Sequence, residues 1–444
     1  MPKSMPKQFI HRGYNGWITD LSTVARPDAV WPATAIDEGL IADFQATYAF
    51  LQRIGINEMT VWGFFTARNW QPDIARTIDA PIADQVRTLL KAAPAHDIKV
   101  LSGLGLYSWG FDEIIGQNPR LSRGNAHAMC ASCDESWDWQ RRVIDFIMGF
   151  PLDGVSMQSA DLGRCTCDTC QRWGDVEYHA RLNDQAASYI KQHWPGRMVG
   201  ISNWSMDFQD PADLDHLVSM TRHADYLIDV NDSLIRCDPA YRRVVAERIA
   251  PCALGCGGTP NVEPPQHWAR DRWFLPTLRR TAQNLQTFYA DGGRAAENYM
   301  HLIANPGDEI SMRLTAAVEL EPSADWLDLL AGILDDVYKP VDAVTRSQLV
   351  DVFLEAEDAY FDNANPPPLN VVRLEPLVSS TVGPPIYVME PIMNRSQRKR
   401  YRLALEQLKA RAKELTSHVG NGVRMNDVVR SIAHALVDVI DVDR

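Results

Sequence analysis

WQRRVIDFIMGFPLDGVSMQS, residues 139–159, runs a helix straight into a strand. The segment 139–151 carries its apolar residues at helical spacing, and 153–159 is a short run of the kind that lies in a sheet. The same alternation extends in both directions. Eight short runs rich in β-branched and aromatic residues read as strands: 9–14, 58–65, 98–107, 153–159, 197–204, 224–230, 249–256 and 293–300. Between them lie amphipathic stretches such as IADFQATYAFLQRIGI, where Phe44, Tyr48, Leu51 and Ile54 recur on one face and Gly55 supplies the stop. Strict strand and helix alternation implies parallel strands joined by right-handed crossovers, and eight repeats imply closure. The expected fold is α/β, a (β/α)8 TIM barrel, over residues 1–335. The sixth unit has the weakest crossover, DPAYRRVVAER, and an open doubly wound sheet is the fallback. After about residue 310 the strand signal stops, and WLDLLAGILDDVY, TRSQLVDVFLEAEDAYF, RKRYRLALEQLKARAKEL and MNDVVRSIAHALVDVI read as helices. Residues 336–444 are therefore expected to form a mainly helical C-terminal region, with a Pro-rich arm at 363–391.

Composition narrows the class of partner. Of 444 residues, 45% are hydrophobic and 23% charged, which excludes a disordered or low-complexity chain. Lys plus Arg is 44 and Asp plus Glu is 57, so the net charge is 44 − 57 = −13. Such a chain has no long-range attraction to nucleic acid or anionic lipid. No stretch approaches the ~18 apolar residues of a membrane span, and the N-terminal segment lacks a signal-like apolar core. These observations lead to the expectation of a soluble, cytoplasmic protein acting on a small molecule. The oligomeric state stays open, a homo-oligomer included.

In a barrel of this kind chemistry sits where strands end and loops begin. Applied here, that filter leaves Asp161 after the fourth strand, Asp229 and Asp232 after the sixth, and Glu297 in the eighth. Aromatic residues crowd the same junctions: Trp62 and Phe64, Tyr107 and Trp109, Trp204, and Trp268 and Trp273. Flat rings beside carboxylates suit a sugar, whose C–H faces stack while its hydroxyls need polar partners. His11, Arg12, Arg68, Asn203, Asn298 and Tyr299 are candidates for hydroxyl or carboxylate contacts. The segment GLGLYSWG at 103–110 lacks a complete dinucleotide fingerprint, and the 11 histidines show no metallohydrolase pattern.

Five of the eight cysteines fall between 130 and 170. Cys165-x-Cys167-x2-Cys170 places three thiols within one turn, with Cys130 and Cys133 upstream. Three close thiols plus one more make a tetrahedral structural zinc site. Free thiols, a disulfide or an iron–sulfur cluster are the alternatives, the last two less suited to a reducing compartment and to this spacing. As the fourth ligand Cys130 is favoured over Cys133. Cys237, Cys252 and Cys256 read as small buried residues.

The stretch AMCASCDESWDWQRRVIDFIMGFPLDGVSMQSADLGRCTCDTCQRW resembles the fourth βα unit of barrel glycoside hydrolases, notably family 42 β-galactosidases. The segment beginning GRAAENYMHLIANPGDEIS is similar to the end of the barrel in family 67 α-glucuronidases. The family 42 resemblance implies a structural zinc on Cys130, Cys165, Cys167 and Cys170, and a general acid/base at Asp161. Where that family carries Asn-Glu, this chain has Ala160-Asp161. The expectation is hydrolysis of a small glycoside or oligosaccharide, a uronide or galactoside, by two carboxylates. Asp161 is expected to act as acid and Glu297 as its partner, with Asp229 and Asp232 behind it. The rival is a non-catalytic carbohydrate-binding barrel, which Ala160 favours.

Overall fold

The structure, a computed structural model, describes residues 7–17, 36–65, 70–78, 80–204, 206–230, 233–257, 273–299, 305–363 and 394–441. Its first elements are β1 (His11–Trp17), α1 (Glu38–Ile54), β2 (Glu58–Trp62), α2 (Ala80–Ala92), β3 (Lys99–Leu106), α3 (Asp112–Gln117), α4 (Asp134–Met148) and β4 (Gly154–Ser159). There follow α5 (Asp168–Gln171), α6 (Asp175–His193), β5 (Met198–Ser202), α7 (Leu214–Thr221), β6 (Tyr226–Asp229), α8 (Pro239–Ile249), β7 (Ala253–Gly257), α9 (Arg279–Ala290) and β8 (Ala295–Tyr299). The chain then holds α10 (Pro306–Leu320), α11 (Trp326–Tyr338), α12 (Ala343–Phe361), α13 (Arg395–Leu415) and α14 (Gly422–Asp441). The eight strands close in sequence order into a barrel, so the doubly wound fallback is excluded. Among the described residues no helix is long and apolar enough to cross a membrane.

Local chemistry accounts for the ends of the elements. Asp37 caps α1 by accepting from the Leu40 amide at 2.8 Å, and Gly55 ends the helix at φ 87°, its N–H turned back to Gln52 O and Leu51 O. The sixth crossover forms as expected: Asp238 accepts from the Ala240 amide at 2.7 Å and Pro239 opens α8.

The chain divides into two compact units that interleave in sequence. The first comprises the described residues within 1–22, 29–257 and 287–297, and holds nearly the whole barrel. The second comprises those within 258–286 and 298–444, so α10, which falls within 1–335, and α11, which crosses that boundary, group with the later helices. Inside this second unit Phe274 packs edge-on to Phe353 with centroids 5.0 Å apart, and Tyr360 to Tyr401 at 5.8 Å. Glu357 accepts from the amides of Leu278 and Arg279, both at 2.9 Å, at the start of α9. The Pro-rich arm lies outside the described residues except for Asn363.

One cluster of buried side chains, Leu101, Met198, Tyr226, Ile228 and Ala295, fixes which face of each strand looks inward. Residues paired in parallel register share a face, and alternate residues along a strand share it too. From Leu101 the register carries to Thr60 and Gly154, from Ala295 to Gly255, and from Gly257 to Glu297. Glu58, Thr60 and Trp62 therefore face inward on β2, as do Ser156 and Gln158 on β4, Ser202 on β5 and Glu297 on β8. Barrel interiors are normally filled by branched aliphatic residues, and so polar an interior is a departure from that rule.

Candidate active site

Glu297 stands level with Gly257, the last residue of β7, and is only 4% exposed. Its Oε1 accepts from Asn15 Nδ2 of β1, and Oε2 has no hydrogen bond among the described residues. Burial pushes the carboxyl up to about 7; the Glu58 carboxylate adds to the shift, while Asn15 and the Thr60 hydroxyl oppose it. At neutral pH this group divides its time between acid and base, the condition that proton transfer requires.

Two tryptophans lie over the inward face of β3. A Cβ at Gly103 would sit 2.1 Å from the Trp62 ring, and one at Gly105 would sit 2.7 Å from Trp109 Cβ. The glycines of GLGLYSWG thus make room for indoles. Trp109 has φ 72° and Tyr107 φ 61°, left-handed values that cost a non-glycine residue roughly 1–2 kcal/mol each.

The Asp161 loop is held from several sides. Ala160 has φ 51°, and the Gly163 amide returns to Ala160 O at 2.9 Å, so Asp161 lies within a tight turn just past β4. Asp161 is half-buried. The Leu162 amide donates to Ser108 Oγ at 3.0 Å, Asn125 Nδ2 to Leu162 O at 3.0 Å, and the Thr166 amide to Arg123 O at 2.9 Å. The left-handed position explains why a residue such as Asn suits site 160: its short polar side chain tolerates this conformation better than Ala does.

Several sequence candidates have other work in this structure. Asp229 follows the inward Ile228 and therefore faces the helices. Its carboxylate accepts from Asn203 Nδ2 (2.6 Å), Ser233 Oγ (2.7 Å), the Ser233 amide (3.2 Å) and the Leu234 amide (2.7 Å). Asn203, also fully buried, accepts from the Val230 amide at 2.7 Å and ties β5 to β6. Asn298 faces away from Glu297 and donates to Glu319 Oε1 at 2.7 Å. Arg12 spends its guanidinium on Gly55 O (2.7 Å) and Phe9 O (2.6 Å), near the amino end of β1. Tyr107 donates to Gln185 Oε1 at 3.0 Å, on the helix side. Phe64 packs beside Phe44 and Phe65. Trp204 is half-buried in the turn after β5. Tyr299 ends β8, its side chain lying outside the described part, as do Arg68, Asp232 and Trp268 entirely.

The structure also brings forward residues that sequence reading did not single out as a group. His11 Nδ1 meets Glu58 Oε1 at 2.7 Å, and the His11 and Tyr226 rings lie 5.1 Å apart. A signal for Glu58 and Thr60 was present: polar residues at alternate positions of a strand whose five residues are all buried.

Beside the Asp161 loop the thiols of Cys130, Cys165, Cys167 and Cys170 all lie within 4.8 Å of one another, with Cys130 and Cys167 at 3.6 Å. Cys133 is not in the group. All four are free thiols, and sulfurs bound tetrahedrally at ~2.3 Å from an ion stand ~3.8 Å apart, so the set fits a thiolate-bound metal. Burial pushes the Cys167 thiol up, but hydrogen bonds from the Cys170 amide and the Ser132 hydroxyl outweigh it and bring it to about 6. Burial keeps Cys165 and Cys170 high. Arg164 closes the loop, donating to Cys170 O at 2.6 Å and Trp173 O at 2.9 Å.

No protein family and no characterised protein matches the sequence. In three dimensions the chain shares the TIM-barrel-like fold of glycoside hydrolases. It superposes on a GH138 enzyme described as targeting pectin rhamnogalacturonan II, with a TM-score of 0.62 at 9% identity over 96% of this chain and 56% of that one. A mutant of the Thermobaculum terrenum O-GlcNAc hydrolase superposes with a TM-score of 0.54 at 9% identity, over 92% of this chain and 77% of the other. The chain thus spans about half the length of the first of these enzymes, and at such identity the likeness is one of fold.

Proposed function

We propose that this protein is a glycoside hydrolase that cleaves a small glycoside or oligosaccharide with two carboxyl groups, Glu297 and Asp161. The observation that carries the reading is the inward-facing Glu297, buried within the barrel level with the last residue of β7, with a pKa raised to about 7. A carboxyl group with that proton affinity suits donation to a leaving glycosidic oxygen, while the second carboxylate serves as nucleophile or activates water. This reading assigns the proton to Glu297 and the negative charge to Asp161, the reverse of what the family 42 resemblance implies. Trp62 and Trp109 offer the apolar faces on which a pyranose stacks. A uronide or galactoside is the substrate class that the sequence resemblances favour.

The same proposal places a zinc ion on Cys130, Cys165, Cys167 and Cys170. When bound, the ion supplies a closed structural clamp and leaves no coordination position for substrate. The four cysteines then brace the turn that carries Asp161. A site of this kind persists in a reducing compartment, so a cytoplasmic location belongs to the proposal.

A panel of aryl glycosides tests the activity: turnover of at least one is expected. Tight sugar binding without turnover of any glycoside would replace the hydrolase with a carbohydrate-binding barrel. Metal analysis should give about one zinc per chain, and stripping the metal should lower the melting temperature. Metal-free protein of unchanged stability would refute the clamp.

A further inference from the structure

Behind Glu297 the barrel interior holds a second carboxyl group that the proposed chemistry does not use. Glu58, 2% exposed, sits at the amino end of β2 and is the register partner of Gly13 on β1. A Cβ at Gly13 would lie 3.5 Å from both Cα and Cγ of Glu297. Residue 13 has no side chain, so the strand that lies between β2 and β8 places none at that position between the two glutamates. Glu58 is itself oriented by His11 at 2.7 Å, whose side chain is 15% exposed, while that of Glu58 is 3% exposed. Tyr226 of β6 packs against the same assembly, with its ring 5.1 Å from that of His11.

We infer that Glu58, held in place by His11, is a positioning residue that keeps the proton on Glu297. The inference rests on the proposed role of Glu297 and adds the means by which that role is set. A carboxylate within a closed, water-poor interior disfavours a second negative charge nearby, so the neighbour retains its proton to higher pH. Among the described residues, the groups that act on Glu297 from the neighbouring strands are Glu58, which His11 holds, the Tyr226 phenol, Asn15 and Thr60; the proposed chemistry adds Asp161, in the turn after β4. Of the groups on the neighbouring strands, Glu58 is the other carboxyl group. Burial of the Tyr226 phenol, together with both glutamates, holds it well above its ordinary value, so it stays neutral. The assembly is a carboxyl pair with one member held by an imidazole and the other by the Asn15 amide.

The test reads protonation directly. Full-length protein with 13C-labelled glutamate carboxyls is titrated by infrared or NMR spectroscopy, and Glu297→Gln identifies the Glu297 signal. In Glu58→Gln, which preserves shape and removes the charge, the Glu297 midpoint should fall by about one pH unit or more. Glu58→Asp should keep it near the wild-type position. His11→Gln, which keeps the Glu58 carboxyl group, should move it less than Glu58→Gln does. A Glu297 midpoint in Glu58→Gln that matches wild type would overturn the inference, as would equal falls in Glu58→Gln and Glu58→Asp. The outcome is separable from the catalytic reading. Full turnover by Glu297→Gln with a midpoint still governed by Glu58 would remove the catalytic role and leave the pair intact. Lost turnover in Glu297→Gln with no influence of Glu58 on the midpoint would do the opposite.

Discussion

Glu297 and Asp229 are both buried carboxyl groups near the carboxyl ends of barrel strands, yet they occupy opposite faces of the wall. Asp229 meets the helical layer and receives four hydrogen bonds, from Asn203, Leu234 and twice from Ser233. Glu297 meets the interior, where Asn15 and Thr60 are its polar partners and Glu58 a like charge. One carboxyl is saturated and serves as a structural knot; the other has fewer donors and is the one proposed to exchange a proton. Burial raises the pKa of both, but only at Asp229 do four donors pull against it. The lesson is that the face of a strand, a matter of one residue in register, decides whether a buried acid holds structure or is available for chemistry.

The comparison breaks most sharply in activity. Glu297→Gln should lower turnover on a responsive aryl glycoside by at least about a thousandfold while leaving the fold intact, and Asp161→Asn should do likewise. Circular dichroism and steady-state kinetics on the same preparations check this. Asp229→Ala should act in the opposite sense. It leaves the donors of Asn203, Ser233 and Leu234 without their acceptor, and should cost ~3 kcal/mol or more of stability in urea denaturation.

Stability against pH sharpens the contrast further. The Glu297 carboxyl has a higher pKa in the folded chain than in the unfolded one. Its contribution is therefore fully present below pH about 4.5 and is lost as pH rises through about 7. Wild type should lose up to ~3 kcal/mol from this group across that window, and Glu297→Gln should lose that component of the slope. Denaturation curves at pH 5 and pH 8 for the two proteins provide the measurement. The smallest effect concerns the turn beside Asp161. Ala160 holds φ 51°, so Ala160→Gly should stabilise the protein by up to ~1 kcal/mol, visible as a small rise in melting temperature.

Much of the fold was legible in the sequence because a parallel barrel strand is buried on both faces and reads as a compact apolar run. Each of the eight runs overlaps a strand, with 249–256 beginning in the end of α8 and 9–14 stopping short of the end of β1, and the helix 139–151 and strand 153–159 overlap α4 and β4. The cysteine spacing was legible for a similar reason: three thiols in six residues constrain one another locally, and Cys130 joins them without Cys133. Facing directions were not legible. Asn203, Asp229 and Asn298 are polar residues at strand ends, but register turns all three toward helices, which composition alone does not reveal. The His11–Glu58 contact joins residues 47 apart in the chain and exists only because β1 and β2 are neighbours in the barrel. Read as a dinucleotide motif, Gly103 and Gly105 carried no meaning; the structure shows them as the floor beneath Trp62 and Trp109.

The most direct test of the central claim is a crystal structure of Glu297→Gln with an intact glycoside that the wild type turns over. The account predicts a pyranose ring against Trp62 and Trp109, its glycosidic oxygen within hydrogen-bond reach of the side chain at 297 and Asp161 on the other side of the anomeric carbon. A sugar bound elsewhere, or one in the barrel with neither position in reach of the scissile bond, would contradict it.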